Sequence, residues 1–393
     1  MKLYNKKLIE ECYQKSVELL KNNSSDFGTL ASSPQERATQ RNYLSIFGRD
    51  AGICALGMVA SGDKKLIKIA RESIDTLIRG QAIDGQIPNY VKPQKNYVDF
   101  WRMGCIDATL WCLIAIKFFD NYAGYKVKLE DKYKKHILKA LYWLKCQKHE
   151  QDKLVMQNEA SDWADLMPRT GKVLYSNALW YQVSLMYDLK ITKTIKKNFN
   201  LIFYPYKSNL DKVMKCDLAT VTEIQELKPK KYYISYLNYL HWGRDVDVFG
   251  NSLSIIFKLP SKKIQTEIVD YLLNHPQKKD LPKPVVFNPI KEDSEKWHDY
   301  MESHGQDYPY KYHNGGVWPF ASCFWAMALA GSGKKQEAWK EMEKIAEVNS
   351  RNDWHFQEWF HAKTGRAYGM QGQSWNAGAF LLAYHFIKKE VKL

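Results

Sequence analysis

YHNGGVWPFASCFWAMALA, residues 312–330, holds in one stretch the unit from which this chain is built. The Gly315-Gly316 pair lets backbone approach a ligand closely. Trp318-Pro319 then opens a helix, because proline fits a first helical turn. The residues that follow are apolar on almost every side, and such a helix belongs in an interior.

Working outward, apolar residues recur at helical spacing over 8–20, 51–60, 65–79, 105–118, 132–146, 176–189, 262–273, 320–330, 336–347 and 375–387. GRDVDVFGN (243–251) leads into one more apolar helix. Strand-like alternation is confined to 231–237 and 285–287. Polar or Gly/Pro-rich connections lie at 84–89, 168–171, 281–289 and 311–319. Strands do not alternate with helices, which excludes a doubly wound parallel sheet. No Pro/Ser linker divides the chain. Residues 1–393 are therefore expected to form a single all-α domain, with 1–40 as its N-terminal helix and lead-in loop. No tight repeat marks a regular solenoid. Unequal hairpins with long loops fit an (α/α)6 toroid, with a few short strands in its loops. Its inner helices line a central cavity, and the loops at one end build the site.

Composition narrows the function. Lys and Arg number 58 against 43 Asp and Glu, a net +15, but only ten of the cations are Arg. Arg is favoured for bidentate phosphate and base contacts, so the excess reads as a solvated lysine coat and no nucleic-acid partner is expected. The first residues carry no apolar signal-peptide core, and no apolar run is long enough for a membrane span. Seven cysteines without CxxC spacing read as reduced thiols, so a cytoplasmic location is expected. Neither metal nor cofactor is implied, and His313 and His355 read as hydrogen-bonding residues. The unusual number is aromatic content, 14% with 13 Trp.

Aromatics, carboxylates and glycines concentrate in a few segments. SIFGRDAGIC (45–54) places Arg49-Asp50 at a helix start, where Asp50 either caps the helix or binds a ligand. QNEASDWADLMPRTG (157–171) puts Glu159, Asp162 and Asp165 around Trp163. Mutual repulsion and an apolar indole raise a carboxyl pKa, as a general acid requires; the alternative is a solvated acidic loop. KYHNGGVWPF (311–320) and NDWHFQEWFHAKTG (352–365) follow, the latter setting Glu358 among aromatics. Carboxylates beside planar aromatics suit glycoside hydrolysis, with indoles stacking on sugar rings and polar groups bonding hydroxyls.

GRD (48–50), DGQIPN (84–89), DWADLMPRTGK (162–172), NALWY (177–181), DVFGN (247–251), YHNGGVWP (312–319), QEWFHAKTG (357–365) and GQSWNAGAF (372–380) together resemble the six-hairpin glycosidases. The nearest likeness is to the amylo-α-1,6-glucosidase domain of glycogen debranching enzymes and its bacterial relatives. The resemblance implies an (α/α)6 barrel and an inverting α-glucosidase on an α-linked oligosaccharide or small glucoside. It implies Asp165 as general acid, with Asp162 as fallback, and Glu358 as general base. Arg49 and Asp50 would bind the sugar, with Trp101, Asp107, Arg169, Trp318 and Trp375 shaping its subsite. Gln86, Glu159, Trp163 and His313 complete the expected binding set. HNGG departs from the RGP-like triplet of some relatives. Neutral invertases, sugar 2-epimerases using a histidine pair, and non-catalytic carbohydrate or polyanion binders are the alternatives.

Overall fold

A computed structural model describes residues 4–207 and 231–393; Cys216 and the lysine-rich stretch 208–215 lie outside the described residues. Twelve helices pair as six hairpins among the described residues. The inner members are α2 (Gly48–Ala60), α4 (Ile106–Tyr122), α6 (Leu174–Met186), α8 (Val248–Ile256), α10 (Pro319–Gly331) and α12 (Ser374–Ile387). Each packs on the next, and α12 returns to α2, closing an (α/α)6 toroid. Outside them lie α1 (Lys6–Asn22), α3 (Lys64–Arg79), α5 (Lys134–Gln147), α7 (Thr192–Phe203), α9 (Lys262–Asn274) and α11 (Lys335–Trp354).

Sequence explains the two layers. In α10 every residue from Pro319 to Leu329 is buried, as its uniform apolarity requires. In α9 only Ile268, Val269 and Leu272 are buried, and Lys262, Lys263, Thr266, Asp270 and Asn274 form its exposed face. Where α12 closes on α2 the backbones touch: a Cβ on Gly57 would lie 1.9 Å from the Gly378 carbonyl oxygen. The helix α7 went unexpected from sequence because TKTIKKNFNLIF buries only Ile195, Phe199, Ile202 and Phe203 among lysines and asparagines. Of the strand-like stretches, only Tyr236–Leu237 and Val286–Phe287 pair as strands, two residues each.

The capping pattern positions the site loops. Outer helices α1, α3 and α9 carry side-chain caps, from Asn5, Asp63 and Ser261. Of the inner helices only α8 does, through Asp247. Instead, first amides of inner helices bond to backbone carbonyls in the loop that precedes the next inner helix. Gly48 donates to Asn89, Ile106 to Ser161, Leu174 to Ser235, Val248 to Val285 and Ser374 to Ala31, all at 2.8–3.2 Å. Proline at 319 has no N–H, and there the bond moves to Val317, which donates to Phe360 at 2.8 Å. A belt of six hydrogen bonds thus runs round one end of the ring. It fixes the loops that carry the polar motifs against one another. No helix among the described residues is long and apolar enough to cross a membrane.

Candidate active site

At the belted end, where the inner helices begin, a cavity of about 270 Å3 opens among the loops. Asp165 and Glu358 both line it. They stand on the loops before α6 and α12, the third and sixth inner helices, and so face each other across the ring. A larger cavity, about 1250 Å3, lies behind the 310–317 loop, lined by prolines and lysines with Glu292 and Asp293 as its acids. Those two are exposed side chains, whereas the chemistry-bearing pair belongs to the smaller cavity.

Asp165 opens into the cavity, its side chain 44% exposed there. Desolvation by the surrounding protein pushes its pKa up to about 6; Arg49 opposes the shift, and Asp162 and Asp107 add to it. No side-chain hydrogen bond reaches it among the described residues, and His313 Nδ1 lies 3.7 Å from Oδ1. Burial, with Arg49 and Arg169 nearby, holds His313 well below the usual histidine range, so its imidazole is neutral. Asp162 is used differently. It accepts from Gln157 Nε2 (2.9 Å) and from the Ala164 amide (2.8 Å), which pins the turn that presents Asp165.

Glu358 is 4% exposed, and burial pushes it up to about 7. Both its oxygens are occupied: the Tyr43 hydroxyl donates to Oε1 (2.6 Å) and the Met370 amide to Oε2 (2.7 Å). These bonds favour the ionised form and limit the rise. Gly369 makes the close approach possible. Its φ is +81°, and a Cβ there would lie 2.2 Å from Glu358 Oε2.

Arg49 ties the cavity floor together. Its Nε lies 3.3 Å from Asp50 and its Nη1 3.4 Å from Asp107, while the guanidinium stands 5.5 Å over the Trp375 ring. Burial alone would lower its pKa, yet Asp107 and Asp50 keep it above the usual value, so it stays charged. Asp107, fully buried, is pushed up to about 6 by desolvation and takes a hydrogen bond from Tyr175 (3.1 Å).

Of the residues expected to bind substrate, Arg49, Asp50, Trp101, Trp163, His313, Trp318 and Trp375 line the cavity together with Asp162. Four do not. Asp107 sits beneath Arg49. Gln86 lies against Cys105, 3.9 Å from its Sγ. Glu159 accepts from Tyr300 and lies 3.4 Å from His298. Arg169 is 1% exposed and pairs with Asp245 (3.0 Å) and Asp247 (3.3 Å), locking the Asp165 loop to the loop before α8. His355 is also off the wall, so the cavity offers one histidine, short of the pair an epimerase uses.

Three of the four tryptophans lining the cavity pack against other rings. Trp163 meets Phe249, His313, Trp318 and Phe320 edge-on. Trp318 stacks on His313, and Trp375 lies between Phe320 (3.9 Å) and Arg49. All three are at most 4% exposed. These three indoles are packed into the cavity wall. Among the residues that sequence did not single out are Tyr43 and Tyr312, which line the cavity with Arg41, Asn42, Tyr90 and Asp99, and Asp307 outside that lining. Asp307 is fully buried, raised well above the usual range by desolvation, and accepts from the Asn314 amide (2.8 Å). No spacing or motif marks Tyr43 or Asp307, whereas Tyr312 lies in the YHNGGVWP stretch but is given no role of its own there. Among the described residues no group of three or more His, Cys, Asp or Glu is placed to hold a metal ion.

Residues 232–390, which include His313 and Glu358 but not Asp165, match the family model described as alkaline and neutral invertase. Over 169 residues the chain is 28% identical to alkaline/neutral invertase C, mitochondrial, of Arabidopsis thaliana, covering 41% of this chain and 24% of that protein. With alkaline/neutral invertase E, chloroplastic, of the same plant it shares 26% over 159 residues, 39% of this chain and 25% of that protein. The chain thus spans about a quarter of the length of the curated relatives it matches. Among solved structures, the GH63 mannosylglycerate hydrolase from Thermus thermophilus in complex with Tris and D-glycerate gives a TM-score of 0.68 at 13% identity, covering 94% of this chain and 99% of that one. The same hydrolase in complex with glucose gives 0.65 at 14% identity, over 94% and 98%. A glycosidase variant in complex with glucose gives 0.60 at 12% identity, over 97% of both chains. The chain shares its (α/α)6 fold with these structures.

Proposed function

We propose that this chain is an inverting α-glucosidase acting on a small α-linked glucoside, with Asp165 as general acid and Glu358 as general base. One observation carries the reading. Two carboxyls, on loops before opposite inner helices, line one cavity of about 270 Å3, and burial pushes both upward, to about 6 and about 7. Asp165, open to the cavity, protonates the departing oxygen. Glu358, with both oxygens accepting hydrogen bonds, is arranged to stay a carboxylate and take a proton from water. The two pKa values lie too close to separate acid from base, and the hydrogen bonding supplies the distinction. Arg49, braced by Asp50 and Asp107, presents its charge to sugar hydroxyls.

A volume near 270 Å3 falls just below the range of drug-sized ligand sites, which favours one sugar ring inside the cavity. Two of the structural neighbours are complexes with glucose, and it is the sugar we assign here. Sucrose cleavage is the second reading, favoured by the invertase match over 232–390; sucrose is itself an α-glucoside, so the same acid and base serve. A test is glucose release from isomaltose, maltose, trehalose and sucrose, measured for the parent chain and for Asp165→Asn and Glu358→Gln. Release from at least one substrate, lost in both variants, is expected. Release undiminished by either variant would remove the assignment. The α-1,6 arm of the panel also tests the debranching-like specificity that the sequence suggests.

A further inference from the structure

Trp101 stands apart from the other tryptophans of the site. It lines the same cavity, yet it is 41% exposed, and no other ring or cation covers either face of its indole among the described residues. Its φ is +59°, a left-handed conformation that a bulky aromatic adopts only when held there. Two hydrogen bonds do the holding. Its amide donates to Asp99 Oδ1 (2.8 Å) and its Nε1 to the Ala160 carbonyl (3.0 Å), on the loop that carries Asp165. Near it in the chain Tyr97 is 46% and Met103 42% exposed, and Asn158 ties the Met103 carbonyl to the Asp165 loop at 3.4 Å. Trp163, Trp318 and Trp375, by contrast, are at most 4% exposed and pack against other rings.

The geometry points to a division of labour: polar groups read the sugar inside the cavity, and Trp101 is the platform on which a ring-bearing leaving group stacks at the mouth. This rests on the glycosidase reading and narrows it. A second pyranose with an apolar C–H face, or an aryl group, meets the chemistry of an open indole; an acyclic polyol or a short hydroxy acid offers no face to it. Because Trp101 hangs from the Asp165 loop, a ring stacked there also brings its glycosidic oxygen toward the acid.

The experiment compares kcat and KM of the parent, Trp101→Ala and Trp101→Phe on three substrates. They are α-D-glucosyl fluoride, whose leaving group has no ring, 4-nitrophenyl α-D-glucoside, and the best disaccharide of the panel above. Trp101→Ala is expected to lower kcat/KM by roughly tenfold on the two ring-bearing substrates and by less than about twofold on the fluoride. Trp101→Phe, which keeps a ring but loses the bond to Ala160, is expected to retain most of the parent rate. The two ring-bearing arms separate a sugar leaving group from an aryl one. An equal loss on the fluoride, no loss on the ring-bearing substrates, or a Phe variant as weak as Ala would overturn the assignment alone. A parent chain that turns over none of the three would overturn the glycosidase reading, and this inference with it.

Discussion

Replacing Tyr43 by Phe removes one of the two donors that hold Glu358 as a carboxylate, and the consequence can be worked through. The hydroxyl lies 2.6 Å from Oε1, and its own pKa is raised well above 10 by burial and by Glu358, so it is always a donor. A hydrogen bond to a charged group contributes about 1.5–3 kcal/mol, or roughly 1–2 pKa units at 1.36 kcal/mol each. The sign follows from which form is stabilised. The bond favours the ionised carboxyl, so its loss moves Glu358 upward, from about 7 to roughly 8–9. The reacting form needs Asp165 protonated and Glu358 ionised, and its population peaks midway between the two pKa values, near pH 6.5 by rough calculation. In Tyr43→Phe that midpoint rises by about 0.5–1 pH unit. The maximum of kcat/KM falls by about sevenfold to sixtyfold, because fewer molecules hold both groups in the required form. A pH profile of kcat/KM for parent and variant, with matched thermal unfolding, reads both numbers. A profile that stays in place or shifts to lower pH would refute the reasoning.

Other outcomes follow from the same geometry. Asp165→Asn and Glu358→Gln should each lose about 10²–10⁴-fold in kcat while keeping the parent circular dichroism and melting profile. Asp162→Asn should act through the turn it pins, with a smaller loss in kcat than Asp165→Asn in a side-by-side assay. Arg169→Met leaves Asp245 and Asp247 buried without their cation, and should cost about 3–5 kcal/mol in urea unfolding. Adding Asp245→Asn and Asp247→Asn should recover part of that loss. Gly57→Ala places a methyl within 1.9 Å of the Gly378 oxygen, where two inner helices close the ring, and should destabilise by at least about 1–3 kcal/mol in the same measurement.

Legibility in the sequence followed how each feature is encoded. Inner helices such as α10 declare themselves because they are apolar on all sides, and Pro319 marks where one begins. The belt of amide-to-carbonyl bonds leaves no trace, since backbone groups carry no side-chain signature. Two-residue strands such as Val246–Asp247 are too short to show alternation. Within the site, the segments around Asp165 and Glu358 stood out as clusters of carboxylate and indole, and the family resemblance pointed to these two within them. Tyr43 and Asp307 were not, being lone residues in ordinary loops whose importance comes from partners 315 and 7 positions away. The ion pairs of Arg169 show the opposite limit: both GRDVDVFGN and DWADLMPRTG stand out, yet nothing in either says that they meet. The tryptophan excess was conspicuous, but composition cannot tell an indole packed face to face in a wall from one left open, as Trp101 is.

The account turns on Asp165 and Glu358 acting from opposite sides of one ring, with water delivered by the second while the first expels the leaving group. The most direct test is proton NMR of the first product formed by the parent chain from an α-glucoside, read before the anomers equilibrate. The account predicts that β-glucose appears first and that its appearance is lost in Glu358→Gln. Initial release of α-glucose, or β-glucose formed as fast without Glu358, would contradict it.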